Sequence, residues 1–304
     1  MVGWARGSAG GEGAKPASKP LGIDELYPAR AAGITTRSVE VRAGLRLRVL
    51  ESGPADGAPV VLLHGWGASA YSYRDAIPAL ARAGYRAIAV DLPGHGLSDK
   101  PAALGWYSRF EMTATAGALL DSLDVRAATV VGVSMGGGIA AGLAVGRHPR
   151  MARAALVNPV GFAPVRFTAI AQMLTPLLAR DYASYLIARP LVSWFLHLAY
   201  WDQSRVTEHD VDEYWSTASQ PGCAAALVAC LHEFTWDPFP PSELARIQVP
   251  VLLVLGTHDH LIVGSEAGAA AIAGLRVVRI AGGHAVNEER PEETNAALLA
   301  FMRE

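Results

Sequence analysis

Cysteine is scarce in this chain: 2 residues in 304, Cys223 and Cys230. Two thiols can neither staple a disulfide scaffold nor fill a thiolate metal cluster, so the fold must rest on its core. Charge is also in short supply. Only 18% of residues are charged, and 26 Lys and Arg against 28 Asp and Glu leave a net charge of −2. With no basic footprint, nucleic acid and anionic lipid are excluded as primary partners. The first twenty residues, MVGWARGSAGGEGAKPASKP, contain no apolar run of signal-peptide length. Their Gly, Ala, Lys and Pro content reads as a disordered leader over residues 1–25 of a cytoplasmic protein. What is abundant is apolar side chain, 51% of residues, enough for a sizeable core in one large domain or a domain with an insertion.

One stretch imitates a membrane span. Residues 127–146, AATVVGVSMGGGIAAGLAVG, are uncharged and place Gly138, Gly142 and Gly146 four apart, as packed transmembrane helices do. The first half is β-branched, however, and Met135 to Gly138 would weaken a continuous helix. A strand, a tight turn and a helix account for the same residues, and no membrane span is expected.

Along the chain, residues 37–51 alternate apolar and polar on either side of Ala43-Gly44, a β-hairpin pattern. Continuous apolar runs at 59–64, 85–91, 128–133, 152–158, 249–256 and 275–280 read as buried strands. Helical stretches lie between them at about 72–83, 111–123 and 135–147, with an Ala-rich helix before 275 and a last helix from about Glu288. This alternation predicts a mostly parallel eight-stranded sheet with helices on both faces.

The alternation breaks over 160–240, where Phe162, Phe167, Tyr182, Tyr185, Trp194, Phe195, Tyr200, Trp201, Tyr214 and Trp215 cluster and strand signals vanish. Pro164, Pro176, Pro190 and Pro221 punctuate the segment. It is too long for an ordinary α/β connection and is expected to be a helical cap. The core then comprises 26–159 and 241–304.

The sharpest chemical signal is Gly132-Val133-Ser134-Met135-Gly136, between a buried strand and a helix. A serine there sits on a strained turn with its hydroxyl held out above the sheet. The glycines are required because a β-carbon would strike the neighbouring strand or helix. The helix beginning behind Ser134 aims its amides at any anion forming nearby. A serine hydroxyl needs a base and an orienting carboxylate to become a nucleophile. His284, in the AGGHAVNEER loop after the 275–280 strand, and Asp259, in GTHDHLI after the 249–256 strand, both open at the sheet's carboxyl edge. The order Ser134, Asp259, His284 is the one this architecture requires.

The other histidines fit structural roles. His258 and His260 flank Asp259 without a further ligand at metal spacing. His64 ends a strand, His95 sits in a turn, and His148, His197, His209 and His232 lie on helical stretches. Cys223 and Cys230, seven apart, belong on one helix face as buried thiols.

The set HGWGAS (64–69), DLPGHGLSD (91–99), GVSMGG (132–137), GTHD (256–259) and GGHAVNEERPEE (282–293) resembles the α/β-hydrolase superfamily over about residues 36–304, lid included. The resemblance implies Ser134 as nucleophile, His284 as general base and acid, Asp259 as its orienter, and the backbone amides of Trp66 and Met135 as the oxyanion hole. It implies no metal and no organic cofactor. Haloalkane dehalogenases and epoxide hydrolases of this superfamily use an aspartate nucleophile where this chain has Ser134. Ring-cleavage-product hydrolases, which cut carbon–carbon bonds, share the SMGG turn but usually carry tryptophan where this chain has Ala285. Cofactor-free haloperoxidases share SMGGG (134–138) but typically lack so long a lid. The implied activity is acyl transfer on small or medium-chain carboxylic esters with a hydrophobic group, with a carbon–carbon hydrolase or lactonase as alternatives.

Overall fold

The computed structural model describes residues 19–29, 31–166 and 168–304. Residues 1–18 of the expected leader, Phe167 and the side chain of Tyr185 lie outside the described residues. Residues 19–25, assigned to that leader by composition, instead lie along the folded chain. Ile23–Glu25 form one 3-10 turn, Leu21 N donates to Ser216 Oγ at 2.7 Å, and Leu26 behind them is buried. Residues 19–25 thus stand with the folded chain, because an apolar anchor and a buried acceptor offset the low local propensity.

The hairpin is β1 (Thr35–Arg42) and β2 (Leu45–Ser52), joined through Gly44 at φ +76°. The remaining core elements begin with β3 (Pro59–Leu63), α1 (Ala76–Arg82), β4 (Arg86–Val90), α2 (Arg109–Ser122), β5 (Ala128–Val133), α3 (Met135–Val145) and β6 (Met151–Val157). Between β6 and the next strand come α4 (Thr168–Leu174), a 3-10 stretch (Leu177–Leu186), α5 (Arg189–Ala199), α6 (Glu208–Ala218), α7 (Cys223–Glu233) and the short α8 (Pro241–Leu244). The chain closes with β7 (Val251–Gly256), the one-turn α9 (Ser265–Gly268), β8 (Arg276–Ile280), α10 (Val286–Glu289) and α11 (Pro291–Met302).

The eight strands form one sheet in the order β1-β2-β4-β3-β5-β6-β7-β8. The hairpin pairs antiparallel, and β3 to β8 run parallel. Alternate residues of β3 feed opposite faces. Val61 and Leu63 join the core beneath α2 and α3, whereas Val60 and Leu62 join the one beneath α1 and α11. The chain lays β4 on one side of β3 and β5 on the other. Such a reversal opens a crevice at the carboxyl ends of the two strands.

Residues 127–146 resolve into β5, the Ser134 turn and α3. Their spaced glycines serve packing within the protein: a β-carbon on Gly142 would lie 2.7 Å from Thr113 Oγ1 on α2, and one on Gly138 would lie 3.0 Å from Val160 O. No helix of the described residues is long and apolar enough to cross a membrane. Two helical expectations are corrected. The Ala-rich helix shrinks to α9 and a 3-10 turn at Ala269–Ala271. Gly264 and Gly274 take positive φ around it, and Gly268 packs against Phe162 O. The last helix breaks at Arg290 (φ −131°), where Pro291 lacks an N–H to continue α10 and restarts the helix as α11.

Candidate active site

Ser134 closes β5 and opens α3 with φ 53° and ψ −115°, a conformation that costs about 1–3 kcal/mol and persists only where its surroundings enforce it. The enforcement is visible. Ser134 N donates to Val157 O at 2.9 Å, and Ser134 O accepts from Val160 N and Gly138 N. The flanking glycines leave no room for a side chain. A β-carbon on Gly132 would lie 2.1 Å from Gly136 O, and one on Gly136 would lie 2.1 Å from Leu63 O.

His284 follows β8 and Asp259 follows β7. His284 Nε2 lies 2.9 Å from Ser134 Oγ, and His284 Nδ1 lies 2.8 Å from Asp259 Oδ2. An ionised carboxylate only accepts, so Nδ1 carries the proton and Nε2 is free to accept from the serine hydroxyl. The other oxygen of Asp259 accepts from Leu261 N at 2.8 Å and Ile262 N at 3.1 Å, which fixes the carboxylate in a buried position. The geometry therefore joins the three residues, 25 and 150 positions apart along the chain, into one hydrogen-bonded series.

The turn after β3 lies against Ser134: a β-carbon on Gly65 would sit 3.2 Å from Ser134 Cβ. Next to it, the Trp66 indole N–H donates to Leu227 O on α7 at 3.0 Å, and its ring packs 5.7 Å from Phe195 of α5. Met135 is the first residue of α3, and amides in the first turn of a helix have no intrahelical acceptor.

Four other histidines lie in loops that follow β3, β4 and β7. His64 is fully buried, its Nδ1 donating to Gly65 O and its Nε2 accepting from Leu92 N at 2.9 Å. Burial holds it below the usual histidine range against the pull of Asp91, so it braces the Gly65 turn as a neutral ring. His95 is pushed down to about 3 by burial, with His64 adding to the effect. His258 stacks on Trp201 at 3.8 Å, and His260 is exposed. Among the described residues no group of three His, Cys, Asp or Glu could hold a metal ion. Cys223 and Cys230 are free, buried thiols on α7.

Two supports escape the sequence patterns. Asn158, just past β6, donates from Nδ2 to Gly283 O (3.1 Å) and His284 O (2.8 Å), while its Oδ1 accepts from Gly256 N (2.9 Å). It thereby ties the histidine loop to the end of β7. Asp91 lies within the DLPGHGLSD stretch. Burial would raise its pKa, but Arg48 and the amides of Ala70 and Leu97 outweigh that and hold it ionised. Asn158 stands one residue beyond β6 at φ +40°, a conformation that asparagine tolerates better than most residues.

Residues 58–291 match the family model of the alpha/beta hydrolase fold. The magnesium-chelatase 30 kDa subunit of Rhodobacter capsulatus is 31% identical over 84% of this chain and 90% of that protein. A non-heme chloroperoxidase of Streptomyces lividans is 29% identical over 88% of this chain and 99% of its own. Among solved structures, a bacterial membrane phospholipase A superposes with a TM-score of 0.73 at 28% identity, over 89% of this chain and 86% of that one. With three-quarters of its length inside the family model, this chain belongs to the alpha/beta hydrolase fold family.

Proposed function

We propose that the protein is a serine hydrolase of small or medium-chain carboxylic esters, working through an acyl-enzyme. The observation that carries this reading is the pair of hydrogen bonds from Ser134 to His284 and from His284 to Asp259. Ser134 Oγ attacks the ester carbonyl carbon as His284 Nε2 takes its proton, and Asp259 holds the imidazolium that results. The carbonyl oxygen becomes an oxyanion received by the amides of Trp66 and Met135, where losing one donor costs roughly 2.7–4 kcal/mol of transition-state stabilisation. The bond to the leaving oxygen then breaks as His284 returns the proton to it. Water, deprotonated by the same nitrogen, attacks the acyl-enzyme and releases the acid and free Ser134.

The insertion over residues 160–240 acts in this reading as the lid. Its Phe195 meets Trp66 beside the Ser134 turn, which favours an apolar acyl or alcohol group. Similarity to a phospholipase A supports an ester substrate. The test is a p-nitrophenyl ester series from acetate to long acyl chains, with Ser134→Ala as control. Turnover that peaks at short or medium chains and disappears in Ser134→Ala is the expected result. Turnover retained by Ser134→Ala would remove Ser134 as nucleophile, and a wild-type chain inert on every ester would move the activity to lactones or carbon–carbon substrates.

A further inference from the structure

The loop that presents His284 is fastened to the insertion as well as to the core. Ala285 N donates to Ala199 O at the end of α5 at 3.0 Å. Gly283 has no room for a side chain, since a β-carbon would lie 2.5 Å from Trp201 N and 2.6 Å from Ala199 O. Beneath this contact sits Glu289, fully buried. Its Oε2 accepts from Gly283 N at 2.7 Å and Trp201 N at 3.1 Å, and its Oε1 accepts from Asp202 N at 3.0 Å. One carboxylate thus serves the residue before the histidine and two consecutive residues of the insertion. Arg290, 3.8 Å away, is the neighbouring cation.

A fully buried carboxylate with three backbone donors is a rigid joint, because without it the buried Gly283 N–H and the part-buried N–H groups of Trp201 and Asp202 would all lose their partner. We propose that Glu289 is a positioning residue for His284: it makes residues 199–202 of the insertion part of the histidine's mount, so that the base is aligned only while that segment is docked. This rests on the ester-hydrolase reading. Asn158 holds the same loop from the sheet side by its carbonyls, so removing Glu289 loosens the loop's insertion side, where the Ala285–Ala199 bond is left alone, and leaves its sheet side attached. The consequence is a misplaced imidazole on an otherwise folded protein.

The test compares wild type with Glu289→Gln, which keeps the size but turns one acceptor into an NH2 group facing an N–H. Active sites are counted by the burst of a fluorophosphonate on Ser134, and kcat for a p-nitrophenyl ester is expressed per labelled site. Glu289→Gln is expected to lower that kcat and the labelling rate in the same proportion, by about ten- to a hundredfold, the scale set by a displacement of about 1 Å at a reacting group. A purely structural role would reduce the number of labelled sites and leave the rate per site unchanged, and that result overturns the proposal. Should Glu289→Gln fail to fold, a second pair decides. Asp202→Pro removes the N–H at a residue whose φ of −88° is close to proline's, and Asp202→Ala retains it. A per-site rate severalfold lower in the proline variant than in the alanine variant supports the joint, and equal rates overturn it. A wild-type chain that takes no label overturns the ester-hydrolase reading and this proposal together, whereas a labelled wild type with unchanged variants overturns this proposal alone.

Discussion

At the scale of single residues, the demands on Asp259 are unequal at its two oxygens. Oδ1 accepts two backbone N–H groups, from Leu261 and Ile262, and Oδ2 meets His284 Nδ1. In Asp259→Asn the amide oxygen must stay on the side of the two N–H donors, so the NH2 group turns toward the imidazole. His284 would then accept at Nδ1 and carry its proton on Nε2, and a protonated Nε2 cannot take one from Ser134. The expected loss in kcat is on the order of 10⁴, with fold and Tm little changed because the replacement is isosteric. Hydrolysis of a p-nitrophenyl ester checks it, and a wild-type rate would assign the orienting carboxylate elsewhere.

At the scale of elements, α6 is fixed by buried charge as well as by apolar packing. Arg74, which follows the turn after β3, bonds Asp210 of α6 (3.0 Å) and Glu288 of α10 (2.6 Å). Tyr214 of α6 donates to Glu288 at 2.6 Å, and burial pushes that carboxyl above the usual range despite Arg74. Glu213 lies on the same helix, and its Oε1 accepts from Tyr27 N at 2.9 Å. Burial pushes its carboxyl up from 4.5 to about 7, with the Tyr27 bond, Arg48 and Arg74 opposing and Asp210 adding to it. His209, 3.8 Å away on the solvent side, is a further titratable neighbour, as are Tyr27 and Tyr71. A group whose pKa is raised by folding stabilises fully below its unfolded value, and that stabilisation is lost as pH rises through the folded value. The contribution of neutral Glu213 therefore fades between about pH 4.5 and 7. Glu213→Gln, which cannot ionise, should gain stability relative to wild type across that window and hold the gain above it. Urea midpoints at pH 5 and pH 8 test this, and a difference that does not change with pH would mean that Glu213 does not titrate there. None of this cluster could be read along the chain, for its partners come from four separate segments. What was legible was local: β5, the glycine-bound Ser134 turn and α3 are specified by neighbouring residues, apolar runs mark six of the strands, and apolar–polar alternation marks the two of the hairpin. Boundaries failed where a distant contact decided them, as at Leu21 on Ser216. Glu289 stayed hidden for the same reason, its insertion partner Trp201 lying 88 positions away.

For the molecule as a whole, the chain between β6 and β7 carries helices α4 to α8, and the second half of that segment belongs to the main core. Ala226, Ala229, Cys230 and Leu231 of α7, with Phe234 and Trp236 beyond it, are buried in the same cluster as Val61, Leu63, Met112 and Ile139. The first half is different: α4 has no buried residue, and Ile170, Met173, Leu174 and Leu178 are exposed. Several of the aromatics clustered in this segment have packing or hydrogen-bonding duties. Phe162 packs on Phe239, and the hydroxyls of Tyr200 and Tyr214 reach Glu288. A segment built this way cannot swing as a body, because moving α7 would open the core beside Met135. Unfolding should therefore be cooperative across insertion and sheet. Four of the seven tryptophans, Trp194, Trp201, Trp215 and Trp236, lie beyond residue 160 and before β7, so intrinsic fluorescence reports chiefly on the insertion and its return to the sheet. Far-UV circular dichroism reports on helices and strands throughout. Urea denaturation followed by both is expected to give one midpoint, since the apolar surface shared by α7, α3 and the strands is lost in a single step. A fluorescence transition at clearly lower urea would show an insertion that melts alone, and would make α7 a separable lid.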